Sequence, residues 1–347
     1  MKYKISIKPR TFHFKQPAGT SRGVYTTRKS WFVEITADEY PGRKGIGECA
    51  PLSDLSCDFR PEYEQTLNSI CGIIEATGQI NYEMLRPYPS IMFGIETAIR
   101  HLECGNLCLA DTPFGRGEEG IPTNGLVWMG TFDEMSQRLE RKIEEGFSCI
   151  KLKIGAIDFE KELELMKRIR SRFSKNDIEL RLDANGGFTP QNAKERLERL
   201  AQYDIHSIEQ PIKQHQWREM AALCASSPIP IALDEELIGV NQPAMKNDLL
   251  DTIRPAYIIL KPSLHGGMKG SAEWIAKARE RGIGSWMTSA LESNVGLNAI
   301  AHFAAHIYGP DIKMPQGLGT GMLFTDNIEA PIALHGNRLW FTPEKAE

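Results

Sequence analysis

A chain of 347 residues exceeds one ordinary small domain and suits a large barrel, which needs about 250 residues, with a second unit added to it. Its 41 Lys and Arg against 45 Asp and Glu leave a net charge of −4 with no dense basic block. That excludes an electrostatic footprint for nucleic acid or an anionic membrane and points to a small-molecule partner. The seven cysteines are odd in number, scattered and without a Cys-x-x-Cys pair, which argues against a disulfide framework or a zinc site.

The first ten residues interleave Lys and Arg with apolar side chains and build no signal-peptide core, and no later apolar run is long enough to span a bilayer. A reducing cytoplasm is the expected location. Residues 2–15 and 29–36 alternate like strands, while 61–76 and 91–103 carry helical spacing, so residues 1–115 form an α+β unit. From about Ile121 short apolar strands alternate with amphipathic helices. The strand candidates are 124–128, 149–154, 178–184, 205–210, 229–234, 256–261, 284–289 and, faintly, 312–316.

Eight candidates predict an α/β fold, a modified TIM (β/α) barrel over 116–321 with the α+β unit as its N-terminal cap. Thr131 with Glu134 makes a capping box, Thr189 precedes an N1 proline, and Gly146 and Gly282 sit where helices should stop. Residues 332–342, around His335-Gly336-Asn337, read as a hairpin, and 322–347 is expected to return to the cap. A capped barrel of this kind also allows a homo-oligomer.

Charged residues stand at the ends of successive predicted strands: Lys151 and Lys153, then Asp183, Glu209, Asp234 and Lys261. The intervals from Lys153 onward are 30, 26, 25 and 27 residues, and one β/α unit of a barrel is about that long. Each group therefore falls at the same level of neighbouring strands. Lys151 and Lys153 share one face while Leu152 takes the other, and Ile258, Leu260, Leu233 and Ile208 likewise leave the charges on the face turned to the barrel mouth.

Taken singly, a strand-end carboxylate more often caps a helix or makes a surface ion pair, and a lysine pair at a barrel end more often snorkels to solvent. The set argues otherwise. Three inward carboxylates on adjacent strands repel one another unless a cation lies among them, and oxygen ligands without His or Cys favour Mg²⁺ over zinc. Asn185 and Glu235 are expected just outside that ligand set. These groups suit removal of a proton α to a carboxylate, with the metal countering the developing charge. A lysine base must be unprotonated, which neighbouring positive charge from Lys151 and the metal favours.

Lys151-Leu152-Lys153, Asp183-Ala184-Asn185, Glu209-Gln210-Pro211, Asp234-Glu235 and Lys261-Pro262 resemble the motifs of the enolase superfamily, muconate-lactonising subgroup, over nearly the whole chain. Its pairing of a Lys or His base with Mg²⁺ is a general pattern. Four stretches resemble the o-succinylbenzoate synthase family within it: residues 47–52, 124–130, 261–267 and 289–293.

The resemblance implies that Lys153 removes the α proton and then assists loss of hydroxide, with Lys151 beside it and Lys261 stabilising the intermediate from the other face. It implies Asp183, Glu209 and Asp234 as ligands of Mg²⁺, with Mn²⁺ as a substitute, and a small dicarboxylate as substrate. Related acylamino acid racemases stay open as an alternative. Mandelate-racemase-like members carry a His-Asp pair where this chain has Lys261. Dipeptide epimerases carry an Asp-x-Asp to hold an ammonium group where it has Gly317-Leu318-Gly319-Thr320-Gly321.

Ser289, Glu292, Ser293, Gly319 and Arg28 are the candidates for substrate contact, and the 19–29 and 47–52 segments are expected to close over the mouth. Arg22 lies in the same Gly- and Thr-rich segment. His302 and His306 have metal-like i, i+4 spacing but lack the glutamate of His-Glu-x-x-His, so helix packing is expected of them. A Schiff-base aldolase would need one strand lysine as nucleophile, and the three carboxylates speak against it. A non-catalytic barrel leaves the lysines and carboxylates unexplained.

Overall fold

The structure is a computed structural model and describes residues 1–20, 23–128, 130–155 and 158–346. Trp31, Val33 and Ile35 alternate along one strand and so present a single apolar face that must be covered. That strand belongs to an antiparallel sheet of β1 (Tyr3–Thr20), β2 (Gly23–Ala37) and β3 (Gly45–Cys49), in that order. Helices α1 (Tyr63–Thr77) and α3 (Pro89–Cys104), with the short α2 (Tyr82–Leu85) between them, bury Leu67, Ile74, Ile91 and Ile95 against the apolar face. β1 runs past the expected end at residue 15, after a register slip between His13 and Ala18.

The second unit begins with β4 (Ile121–Pro122) and alternates strand with helix. Its elements are β5 (Gly125–Val127), α4 (Phe132–Glu144), β6 (Cys149–Lys153), α5 (Phe159–Arg172), β7 (Glu179–Asp183), α6 (Pro190–Leu200) and β8 (Ile205–Glu209). There follow α7 (Trp217–Ser226), β9 (Ile231–Leu233), α8 (Pro243–Ile253), β10 (Tyr257–Leu260), α9 (Gly267–Glu280), β11 (Gly284–Met287) and α10 (Asn294–Tyr308). The strands β5 to β11 pair in parallel in chain order, as consecutive β/α units require.

Leu152, Leu182, Ile208, Leu233 and Ile258 point outward into the main apolar core under the helices, so the alternate side chains point into the barrel. The capping boxes at Thr131 and Thr189 are both present.

The eighth stave is shorter than the predicted strand. Gln316 bridges to Thr123 and Gly317 to Thr288, both in parallel, and these two residues close the barrel between β5 and β11. The tail forms the expected hairpin, β12 (Ile332–His335) with β13 (Arg338–Phe341), but β13 pairs with β4 in place of the cap sheet. It is the segment before the hairpin that meets the cap: Phe14 bridges to Phe324, and the main-chain N–H of Lys15 donates to Leu323 O at 2.8 Å. Among the described residues no helix is long and apolar enough to cross a membrane.

Candidate active site

Strand register brings Lys153, Asp183 and Glu209 level with one another on β6, β7 and β8. Asp234 and Lys261 follow directly on β9 and β10. All five side chains turn inward at the C-terminal end of the barrel, and the three carboxylates are at most 2 % exposed. Lys151 Nζ lies 2.9 Å from Asp183 Oδ2 and 2.5 Å from Glu209 Oε2. Lys153 Nζ donates to Asp183 Oδ2 at 3.0 Å and to Asn185 Oδ1 at 2.7 Å. Across the barrel Lys261 pairs with Asp234. Asn185 also donates to Glu235 Oε1 at 3.0 Å, which ties the Lys153 side of the site to the segment after β9.

The charges are mutually dependent. Burial pushes the Asp183 carboxyl up, but Lys151 and Lys153 outweigh it and hold Asp183 well below the usual carboxylate range. Glu209 is held far above that range by burial and by the charge of Asp183. Burial works to lower the values of Lys151 and Lys261, yet the surrounding carboxylates, Asp183 and Glu209 for the first and Asp234 for the second, raise both above an ordinary lysine. Three buried carboxylates thus depend on positive charge placed among them.

As the side chains stand, the lysine ammonium groups supply that charge, and among the described residues no three acidic, His or Cys side chains close around one point as a metal cage. The donor set nevertheless fits a hard divalent cation. Glu209 Oε1, Asp234 Oδ1 and Glu235 Oε2 are buried carboxylate oxygens without a hydrogen-bond partner, and oxygen-only donors are what Mg²⁺ takes.

A cavity of about 380 Å³ opens over the cluster, lined by Lys151, Lys153, Asp183, Asn185, Glu235 and Lys261 at one end. Ser289 and Gly319 line it, as expected of them, together with Trp128, Ala290, Leu291 and Thr320. The cap contributes Gln16, Tyr25, Leu52 and Leu55, so both expected cap segments reach the mouth. Arg28, Glu292 and Ser293 do not line it; they are buried behind its wall. Arg22 and Met129 lie outside the described residues.

Sequence reasoning missed Trp128 and Leu55 as lining residues, because an aromatic or leucine at a strand end or in a loop carries no mark of the cavity. It also passed over Arg181, which points inward one layer below Asp183. Arg181 fills the barrel floor, donating to Pro315 O at 2.8 Å and lying 4.5 Å over the ring of Trp286.

Residues 134–328 match the family described as Enolase C-terminal domain-like. Over 97% of its length the chain is 46% identical to an o-succinylbenzoate synthase from Desulfotalea psychrophila, of which 98% is covered. The chain belongs to the enolase superfamily.

The crystal structure of MenC from D. psychrophila superposes on it with a TM-score of 0.84 at 40% identity, covering 98% of this chain and all of that one. The superfamily likeness in fold extends to the substrate-liganded L-Ala-D/L-Glu epimerase from Bacillus subtilis, with a TM-score of 0.83, 22% identity and coverage of 99% and 97% of the two chains. A dipeptide epimerase from Enterococcus faecalis, solved with Mg and the dipeptide L-Leu-L-Tyr, gives 0.82 at 22% identity and covers 99% and 98%.

Proposed function

We propose that this enzyme is an o-succinylbenzoate synthase, which dehydrates 2-succinyl-6-hydroxy-2,4-cyclohexadiene-1-carboxylate to 2-succinylbenzoate for menaquinone biosynthesis. The observation that carries the reading is the opposition of Lys151 and Lys153 to Lys261 around buried carboxylates, in a chain 46% identical to a protein of that name. Seven unpaired cysteines suit a reducing cytoplasm.

Lys153 Nζ takes the proton from the carbon that bears the carboxylate. The bond from carbon to the hydroxyl oxygen then breaks, and Lys153 returns its proton to that oxygen, which leaves as water from the same face. Asn185, accepting from Lys153 and donating to Glu235, fixes the direction in which the amine points. Lys261, held charged by Asp234, faces the intermediate from the other side and offsets its negative charge. Asp183, Glu209 and Asp234 would hold Mg²⁺, or Mn²⁺ in its place, and such a cation supplies further positive charge against the charge developing on the substrate carboxylate. Trp128, Leu52 and Leu55 keep water from the ring.

Two lysines on opposite faces also suit racemisation of an acylamino acid, in which one removes a proton and the other returns it. The two readings separate in one experiment, o-succinylbenzoate formation run beside acylamino acid racemisation with purified enzyme and Mg²⁺. Dehydration that disappears in Lys153→Ala supports the synthase. Fast racemisation without any o-succinylbenzoate replaces it.

A further inference from the structure

Behind the cavity wall three buried charges join cap to barrel. Arg28 on β2 donates to three main-chain carbonyls, Pro51 O at 2.8 Å, Ala50 O at 2.5 Å and Ala290 O at 3.1 Å. The first two belong to the stretch that ends in the cavity-lining Leu52, and the third to the loop after β11 that lines the cavity with Ser289, Ala290 and Leu291. Glu292, in the same loop, accepts from Ala290 N at 2.7 Å and from the hydroxyl of Ser263, two residues beyond Lys261.

Glu48 on β3 accepts from the Ser30 hydroxyl at 2.7 Å, the Ser293 hydroxyl at 2.6 Å, and the main-chain N–H groups of Ser293 at 3.0 Å and Gly296 at 3.1 Å. A carboxylate from the cap therefore closes the N-terminus of barrel helix α10.

The fit leaves little slack. A Cβ on Gly296 would stand 2.6 Å from Glu292 Cβ and 3.0 Å from Glu48 Oε2, so only glycine lets both carboxylates reach this turn. Leu291, between these anchors, has φ of 63°, a left-handed conformation that a leucine holds only when its surroundings impose it. Burial works against the charge on Arg28, and the carboxylates of Glu292 and Glu48 work for it.

We propose that Arg28, Glu48 and Glu292 are positioning residues for the reaction. Their hydrogen bonds hold the 289–291 wall and the turn after Lys261 against the 50–52 stretch of the cap, and so shape the part of the cavity that takes the non-reacting arm of a dicarboxylate substrate. The assignment rests on the synthase reading for the identity of that substrate, while the network itself does not depend on it.

The first variant is Arg28→Lys, which keeps a charge but replaces a fork across three carbonyls with a single point donor. KM should rise about tenfold with kcat within about threefold of wild type, because the wall that binds the arm is disturbed more than the lysines. Glu292→Gln should raise KM by about fivefold. The double variant should add less than about twofold to Arg28→Lys alone, because both act through Ala290.

Wild-type KM in Arg28→Lys, or KM effects that multiply in the double variant, overturns the proposal. If Arg28→Lys does not fold, Ser263→Ala carries the test. It removes only the hydroxyl donated to Glu292, and should raise KM by about fivefold with kcat within about threefold of wild type, as Glu292→Gln does; wild-type KM overturns the proposal. Wild-type enzyme is assayed first with both substrates. Should it racemise acylamino acids and form no o-succinylbenzoate, the synthase reading fails, and the same variants, measured on the racemised substrate, decide the positioning role.

Discussion

Replacing His302 with leucine should remove a measurable share of the barrel's sensitivity to acid. His302 lies on α10 at 1 % exposure, edge-on to Phe114 and Phe341 with ring centroids 5.1 and 4.6 Å away, and neither ring nitrogen has a hydrogen-bond partner. Burial, with a smaller push from the positive charge of Arg100, lowers its pKa from 6.5 to about 3. Between those values the unfolded chain binds a proton that the folded chain refuses. This group's contribution to stability is therefore complete above pH 6.5 and falls as pH drops toward 3.

At about pH 4.5 the two states differ by about 2–3 kcal/mol through this residue alone. Leucine fills the same apolar site and cannot titrate. Urea unfolding of wild type and His302→Leu at about pH 7.5 and about pH 4.5 gives a difference of differences in which other acid-labile groups cancel. Wild type should lose about 2–3 kcal/mol more than the variant on acidification. Equal losses in the two proteins would mean that His302 is not kept neutral by the fold, and the reasoning from burial would be wrong.

Lys153→Ala should lower kcat for dehydration by about a thousandfold or more, measured by steady-state formation of product, because it removes the amine that takes and returns the proton. Lys261→Arg keeps a positive charge but cannot serve as a base; it should retain measurable dehydration while losing racemisation, and loss of both would show that Lys261 handles a proton. Exhaustive chelation should abolish activity, with Mg²⁺ or Mn²⁺ restoring it, and full activity in chelator would remove the metal from the reading. Thr189→Ala, which deletes the side-chain cap of α6, should cost about 1 kcal/mol of unfolding free energy in urea and leave KM unchanged.

The lysines and carboxylates were legible in the sequence because a parallel barrel repeats. Intervals of one β/α unit put Lys153, Asp183, Glu209, Asp234 and Lys261 at one level before any coordinates are known. Arg28, Glu292 and Ser293 show the limit of that logic. Their neighbourhood was readable from the motifs, but whether a loop side chain faces the cavity or the interface behind it depends on packing between units distant in sequence.

β3 was missed because Gly45-Ile46-Gly47-Glu48-Cys49 is short and glycine-rich, and it becomes a strand only through pairing with β2. The tail hairpin was readable from His335-Gly336-Asn337. Its partner was not, since a sheet edge at Ile121–Pro122 leaves no local pattern.

The short eighth stave has a consequence for how such an enzyme diverges. On one side of the barrel β6, β7 and β8 pair level with one another at Lys153, Asp183 and Glu209 and carry Lys151 as well. On the other side closure rests on Gln316 and Gly317, and from that seam springs the loop that brings Gly319, Thr320, Met322 and Leu323 to the cavity. Replacements in this loop disturb few ladder bonds and leave the proton-handling wall where it is. Selectivity can therefore drift by changes on the loosely sewn side while Lys153, Asp183 and Glu209 stay anchored on the other.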